Sequence, residues 1–149
     1  MYKRSFSTVI KYIWASPATS LGIFAGFIAV LLGATVNVFS GVLEISLRPR
    51  SARVTEALAR LPYAAITFGH VVIAQSEEYQ NLLRAHERVH VAQYEKWGPA
   101  FFIAYPLESV FQRFQGNHPY LDNRFEVSAR SEAAQLKELH APRHTLGDL

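Results

Sequence analysis

The longest apolar run lies near the start of the chain. Residues 17–43 carry no charge, and Leu21 to Ala34 is apolar, glycine or alanine throughout. Ser16 reads as an N-cap, and Pro17 fits a first helical turn. A helix over residues 17–34 would be ~27 Å long at ~1.5 Å per residue, enough to cross the hydrocarbon core of a bilayer. Tyr12 and Trp14 precede it, where an interfacial aromatic belt would sit. Upstream, Phe6, Val9, Ile10, Ile13 and Trp14 recur at helical spacing, with Lys3, Arg4 and Lys11 among them. Residues 1–16 therefore read as an amphipathic segment on the membrane surface. A buried core helix is the soluble alternative. A cleaved signal peptide fits less well, because the apolar stretch begins late and Leu32-Gly33-Ala34 lacks a small first residue. Gly22 and Gly26 form a GxxxG that admits a homo-oligomer contact through the helix, although loose packing explains it as well.

Beyond Ala34 the rhythm changes. Residues 36–39 and 42–47 flank Ser40-Gly41 as a β-hairpin. Val54, Ala57, Leu58 and Leu61 mark a short amphipathic helix stopped by Pro62. Residues 64–74 predict one strand with Gly69 as a bulge. A helix follows from Ser76, carries Leu82, Leu83, Val89 and Tyr94, and ends at Gly98-Pro99. Residues 99–114 predict a buried or membrane-touching helix, too short for a second span. Asp122 or Asn123 caps a last helix reaching about His140, and residues 141–149 form a flexible tail. The expected fold is α+β: a membrane helix over 17–34, then a small-sheet domain over 35–140.

Composition narrows the function. The 149 residues include 15 Lys+Arg, 12 Asp+Glu, 6 His and no Cys. Half the residues are hydrophobic, which excludes a wholly disordered chain. Without cysteine there is no disulfide framework, thiolate zinc site or cysteine nucleophile. The basic residues are scattered, so no nucleic-acid partner is expected.

The chemistry lies on the helix after residue 76. His86-Glu87-Arg88-Val89-His90 is an HExxH. Positions i and i+4 of a helix point only ~40° apart, so both imidazoles reach one metal ion. The intervening Glu87 can take a proton from water without being a ligand. Two solvated histidines on a polar helix face are the alternative. An open zinc site needs a third ligand. Glu126, 36 residues after His90, shares a helical face with Ala129, Ala133 and Leu136. A lone carboxylate on so apolar a face is costly to bury unless paired or metal-bound. A first-turn Glu favoured by the helix dipole is the plainer reading.

At these residues the chain resembles the gluzincin branch of the zincin metallopeptidases, in which an HExxH helix and a downstream Glu-bearing helix clamp one zinc ion. The runs His86 to Pro99 and Asn123-Arg124-Phe125-Glu126 are also similar to a group of small bacterial membrane proteins. The resemblance covers about residues 64–130. It implies a zincin-like sheet, zinc as cofactor, His86, His90 and Glu126 as ligands, and Glu87 as general base. It places the 64–74 strand beside the cleft, where an extended peptide pairs by backbone hydrogen bonds. Integral-membrane gluzincins carry Glu-x-x-Ala-Asp, whose Asp orients a ligand histidine. Here Arg130 stands in the place of that Asp, and Asp122 is the candidate substitute. Candidates to stabilise an oxyanion are His70, Tyr105, His118 and Tyr120, and no spacing selects among them.

The expected function is a single-pass, membrane-anchored zinc metallopeptidase of the bacterial inner membrane. Zinc-activated water would attack a peptide carbonyl while Glu87 shuttles the proton. Its partners would be the lipid bilayer and a peptide or protein substrate. The alternative is an inactive gluzincin-like membrane scaffold or interaction protein that binds zinc structurally.

Overall fold

The computed structural model describes residues 6–48 and 51–140. The tail expected at 141–149 and residues 1–5 of the expected surface segment lie outside the described residues. The elements are α1 (Phe6–Leu31), β1 (Thr35–Phe39), β2 (Val42–Ser46), α2 (Ala52–Ala59), β3 (Ala65–Phe68), β4 (Val71–Ala74), α3 (Glu77–Trp97), a 3-10 turn (Gly98–Ala100), α4 (Phe101–Phe114) and α5 (Arg124–His140). The architecture is α+β with a four-stranded sheet.

α1 corrects the expected start of the first helix. It runs unbroken through Pro17, so Ser16 is no N-cap and no separate surface segment precedes it among the described residues. Proline has no N–H to give the Ile13 carbonyl. The Ser16 hydroxyl donates to that oxygen instead, at 2.7 Å. The segment Thr8–Leu31, 24 residues, is long and apolar enough to cross a membrane. Its side chains are sorted by size: Ala15, Ala18, Gly22, Gly26 and Ala29 are buried, whereas Leu21, Phe24, Phe27 and Leu31 are exposed. The GxxxG pair is therefore occupied within the chain and is not the surface for a second copy. A Cβ at Gly22 would sit 2.7 Å from Val71 Cβ and 2.9 Å from Phe68 Cβ, and one at Gly26 would meet the end of the Ile45 side chain.

The sheet order is β1-β2-β4-β3, with β2 and β4 parallel and both outer pairs antiparallel. β1 and β2 form the expected hairpin around Ser40-Gly41, both with positive φ, the conformation of a type I′ turn. The single strand expected over 64–74 is instead a second hairpin. Phe68 pairs with Val71, and Gly69 (φ 58°) and His70 make the turn. An apolar run with one glycine fits a bulged strand and a two-residue turn equally. The turn needs glycine here, because φ is positive and Thr19 and the Ala15 carbonyl crowd the place of a Cβ.

Strand alternation gives the sheet two faces. Ile45 and Val71 pack with Ala29 under α1, and Val42 and Val72 pack with Val91 of α3. α3 begins at Ser76, whose hydroxyl accepts from Tyr79 N, with Glu77 and Glu78 in the first turn. Glu44 of β2, 3% exposed, takes a bidentate pair from Arg84 at 2.9–3.2 Å, and Arg88 lies 3.6 Å away. Those two arginines also lie over the Phe39 ring. Asn123 is the cap of α5: its side-chain oxygen accepts from Phe125 N, and its amide donates to Tyr105 O and Ser109 Oγ of α4.

Replacing Gly22 by Ala should lower stability by about 1–3 kcal/mol, because the new methyl meets two Cβ atoms that cannot swing away. Gly26→Ala should cost less, since the end of Ile45 can change rotamer. Thermal unfolding in detergent measures both. Equal stability of Gly22→Ala and wild type would mean that α1 does not pack this way.

Candidate metal centre

α3 sets His86 and His90 one turn apart, with their Nε2 atoms 3.2 Å from each other. α5 brings Glu126 to the same point: Oε2 lies 3.2 Å from His86 Nε2, and Oε1 lies 3.3 Å from His90 Nε2. One potential ligand atom from each residue falls within a 4.8 Å cluster. Ligand atoms of tetrahedral zinc at bonds of ~2.0–2.1 Å lie about 3.3–3.4 Å apart; the two imidazole nitrogens, at 3.2 Å, stand at that separation, and each faces a different Glu126 oxygen. Oε2 of Glu126 is buried and has no hydrogen-bond partner. Two imidazole nitrogens and an orphaned carboxylate oxygen facing one point suit a divalent cation, and two nitrogens plus one oxygen is a donor set of open zinc sites. The cluster could hold a metal ion.

Electrostatics reinforce the cluster. Burial would raise the Glu126 carboxyl, but His86, His90 and the Tyr105 hydroxyl outweigh it and hold the group well below the usual carboxylate range. Burial would lower His90, yet Glu126, Glu87 and Gln93 together push it above its ordinary value.

Two of the three cluster residues, His90 and Glu126, are held from behind. His90 Nδ1 lies 2.8 Å from Gln93 Oε1. The Gln93 amide donates to Phe125 O and Ser128 Oγ of α5, so its oxygen must face the imidazole. That contact makes Nδ1 the protonated nitrogen and leaves the Nε2 lone pair toward the cluster. Tyr105 of α4 donates to Glu126 Oε1 at 2.7 Å. Glu87, 5% exposed, accepts from the Thr67 hydroxyl at 2.7 Å, which ties it to β3.

The cluster lies in a cavity of about 520 Å³, with His86, Glu87, His90 and Glu126 in its wall. β3 supplies one side, from Ala65 to Phe68; Phe101, Phe102 and Tyr105 supply another, and His118 and Tyr120 a third. β3 has β4 on one edge only, so its other edge is free within the sheet.

The structure sorts the remaining candidates. His70 lies in the β3–β4 turn, outside the cavity wall. Its ring stacks on Tyr12 at 3.9 Å, and Nε2 lies 3.3 Å from Glu95, so it ties α1 to α3. Burial lowers its pKa against the opposing pull of Glu95. Asp122 is not at a ligand histidine either. It accepts from His118 N at 2.7 Å and shapes the loop before α5. Tyr105, His118 and Tyr120 all line the cavity; Tyr105 donates to Glu126, and the Tyr120 hydroxyl also interacts with that carboxylate. The roles of Gln93 and Thr67 are not visible in the motif. Gln93, three residues after His90 on the same helical face, offered a signal. Thr67 offered none, because its meeting with Glu87 depends on the strand and helix packing together.

No protein-family model, curated protein or solved structure shows significant similarity to this chain. The class that fold and site define is an α+β protein with a long apolar N-terminal helix and a two-histidine, one-glutamate cluster able to take a metal. The gluzincin resemblance rests on the motif residues in the sequence.

Replacing Gln93 by Leu should weaken zinc binding about 10–100-fold, the usual effect of removing the group that orients a ligand histidine. His90→Ala and Glu126→Ala should lose the metal. Titration against a chromophoric chelator reads all three, and unchanged affinity in Gln93→Leu would deny it the orienting role.

Proposed function

We propose that the chain is a membrane-anchored zinc metallopeptidase of gluzincin type. The observation that supports this most is the convergence of His86, His90 and Glu126 in a cavity that also holds Glu87 and the free edge of a strand. Zinc, when bound by those three residues, polarises a carbonyl and lowers the pKa of water. Glu87 accepts the proton of the attacking water and returns it to the leaving amine as the C–N bond breaks, so water is added across the peptide bond. Thr67 holds the Glu87 carboxylate in place through this exchange. His118 Nδ1 accepts from the backbone N–H groups of Tyr120 and Leu121 at 3.1 and 3.0 Å. Its proton is therefore on Nε2, and the ring is a donor. Burial pushes the Tyr120 hydroxyl up to about 12, so it too keeps its proton at neutral pH. These two donors suit a developing oxyanion. The edge of β3 suits an extended peptide backbone. α1 supplies the anchor, as a single span of the bacterial inner membrane by the resemblance stated above.

One observation favours a second reading. Arg130 Nη1 lies 4.0 Å from Glu126 Oε2, a positive charge beside the third ligand. It weakens the ligand's charge and suits a scaffold that binds zinc without turnover.

Glu87→Gln decides between the readings. For a peptidase, turnover of peptide substrates should fall about 10²–10⁴-fold while one zinc per chain is retained. Mass-spectrometric metal content and product formation are measured on the same sample. A zinc-loaded wild type with no turnover on a broad peptide library, and a silent Glu87→Gln, would leave the scaffold.

A further inference from the structure

The anchor and the cleft share one strand. Strand pairing sets Phe68 and Ile66 opposite Val71 and Ile73, on the α1 face of the sheet, and Thr67 opposite Val72, on the α3 face. The cavity wraps the free edge of β3 and touches both sets: Thr67 beside Glu87 on one side, Ile66 and Phe68 on the other. Phe68 in turn packs on α1, with its Cβ 2.9 Å from where a Gly22 Cβ would lie. Gly22 is ~17 Å along the helix from Lys11, the last charge before Glu44, and ~14 Å from the end of α1 at Leu31. The rim of the cleft therefore meets the uncharged helix near its middle, not at a polar end. This holds whether α1 crosses the bilayer or lies along it.

The surface on that side continues the theme. Phe68 and Phe102 have ring centroids 6.5 Å apart, and both line the cavity. From Phe102, α4 exposes Ile103, Leu107, Val110 and Phe114. Val36 and Val38, paired with Ile45 and Leu43 on the α1 face, are exposed as well. Exposed charge lies on other helices: Glu77, Glu78 and Lys96 on α3, and Glu132 and Lys137 on α5. Arg124 borders the apolar α4 side chains and pairs there with Glu108 at 2.7 Å. A core helix of a water-soluble protein turns its large apolar residues inward, and α1 does the reverse.

We propose that the cleft opens at the level of the bilayer and takes membrane-borne peptide segments as substrates, with extended backbone on β3 and apolar side chains against Phe68 and Phe102. The proposal rests on the peptidase reading for its chemistry and on the α1–β3 packing for its geometry. A separate tether would let the domain reach soluble chains. Here the domain is docked along the helix, so the substrate must come to the membrane.

The chain has no cysteine, so single cysteines can carry a nitroxide without background. Full-length Phe102→Cys, Ile103→Cys, Phe24→Cys and Tyr79→Cys are labelled in vesicles of phosphatidylethanolamine and phosphatidylglycerol. Relaxation by oxygen against a water-soluble nickel chelate gives the depth of each label. Phe24 should lie in the hydrocarbon, Phe102 and Ile103 at bilayer depth, and Tyr79, exposed at the start of α3, in water. Ile103 lies outside the cavity wall and reports the same level if a change at Phe102 disturbs the fold. In the same vesicles, zinc-loaded wild type is given one apolar peptide in myristoylated and acetylated forms. The myristoylated form should be cut at least about tenfold faster. Nickel-accessible labels at both α4 positions, with Phe24 in hydrocarbon, would overturn the placement, as would equal cutting of the two peptides. α4 labels at bilayer depth with zinc bound and neither peptide cut would count against the peptidase reading, leaving the placement of the cleft standing.

Discussion

Glu126 is 3% exposed, and its carboxylate faces two imidazoles on another helix. A carboxylate taken out of water costs several kcal/mol unless opposite charge and hydrogen bonds offset the loss. Much of the domain is arranged around that offset. α5 turns Ala129 and Ala133, both buried, toward the interior, so it can lie close to α3. Gln93 links His90 to the backbone of α5, Tyr105 reaches Glu126 from α4, and Asn123 fixes where α5 begins. Three helices thus meet at one polar point in otherwise apolar packing. A bound cation would add its own attraction to this convergence, so metal affinity and folding free energy would be coupled.

The sheet carries the second constraint. β3 stands between α1 and α3 and has a different task on each side. Toward α3, Thr67 holds Glu87; toward α1, Phe68 closes on Gly22. A polar knot secures the same junction: Thr19 accepts from His70 N, His70 meets Glu95, and Lys11 pairs with Glu95 at 2.9 Å. Lys11 is half exposed, so its pair with Glu95 adds little by itself, whereas the buried His70 gives the knot its rigidity. A movement of α1 would reach the edge strand and, through Thr67, the Glu87 carboxylate. The apolar helix is therefore part of the site's frame.

Some of this was legible in the chain before folding. The HExxH needed only helical period to put His86 and His90 together, and Glu126 stood out as a carboxylate on a face of alanines. Ser40-Gly41 between alternating residues specified the first hairpin, because a two-residue turn with positive φ favours few residue types. Other features depend on contact. Pro17 reads as a helix start until Ser16 is seen to cap the Ile13 carbonyl in mid-helix. Residues 64–74 read as one strand because period alone cannot distinguish a bulge at Gly69 from a turn that α1 presses against. Gly22-x-x-x-Gly26 marks a close approach, and only packing shows that the approaching surface is this chain's own sheet.

Local rules thus determined most of the elements, the two-histidine motif and the apolar character of α1, because each depends on residues within a few positions of one another; the start of α1 and the division of residues 64–74 into two strands they did not. Tertiary structure decided what faces what. It chose Gln93 over Asp122 to orient His90, and it left His118 and Tyr120 at the cavity while His70 went to the anchor junction. It also set Phe68 against the middle of α1. Apart from Gln93, which shares a helix with His90, these outcomes depend on pairs far apart in sequence, such as His70 with Tyr12 and Phe68 with Gly22, whose meeting is fixed by sheet pairing and helix packing.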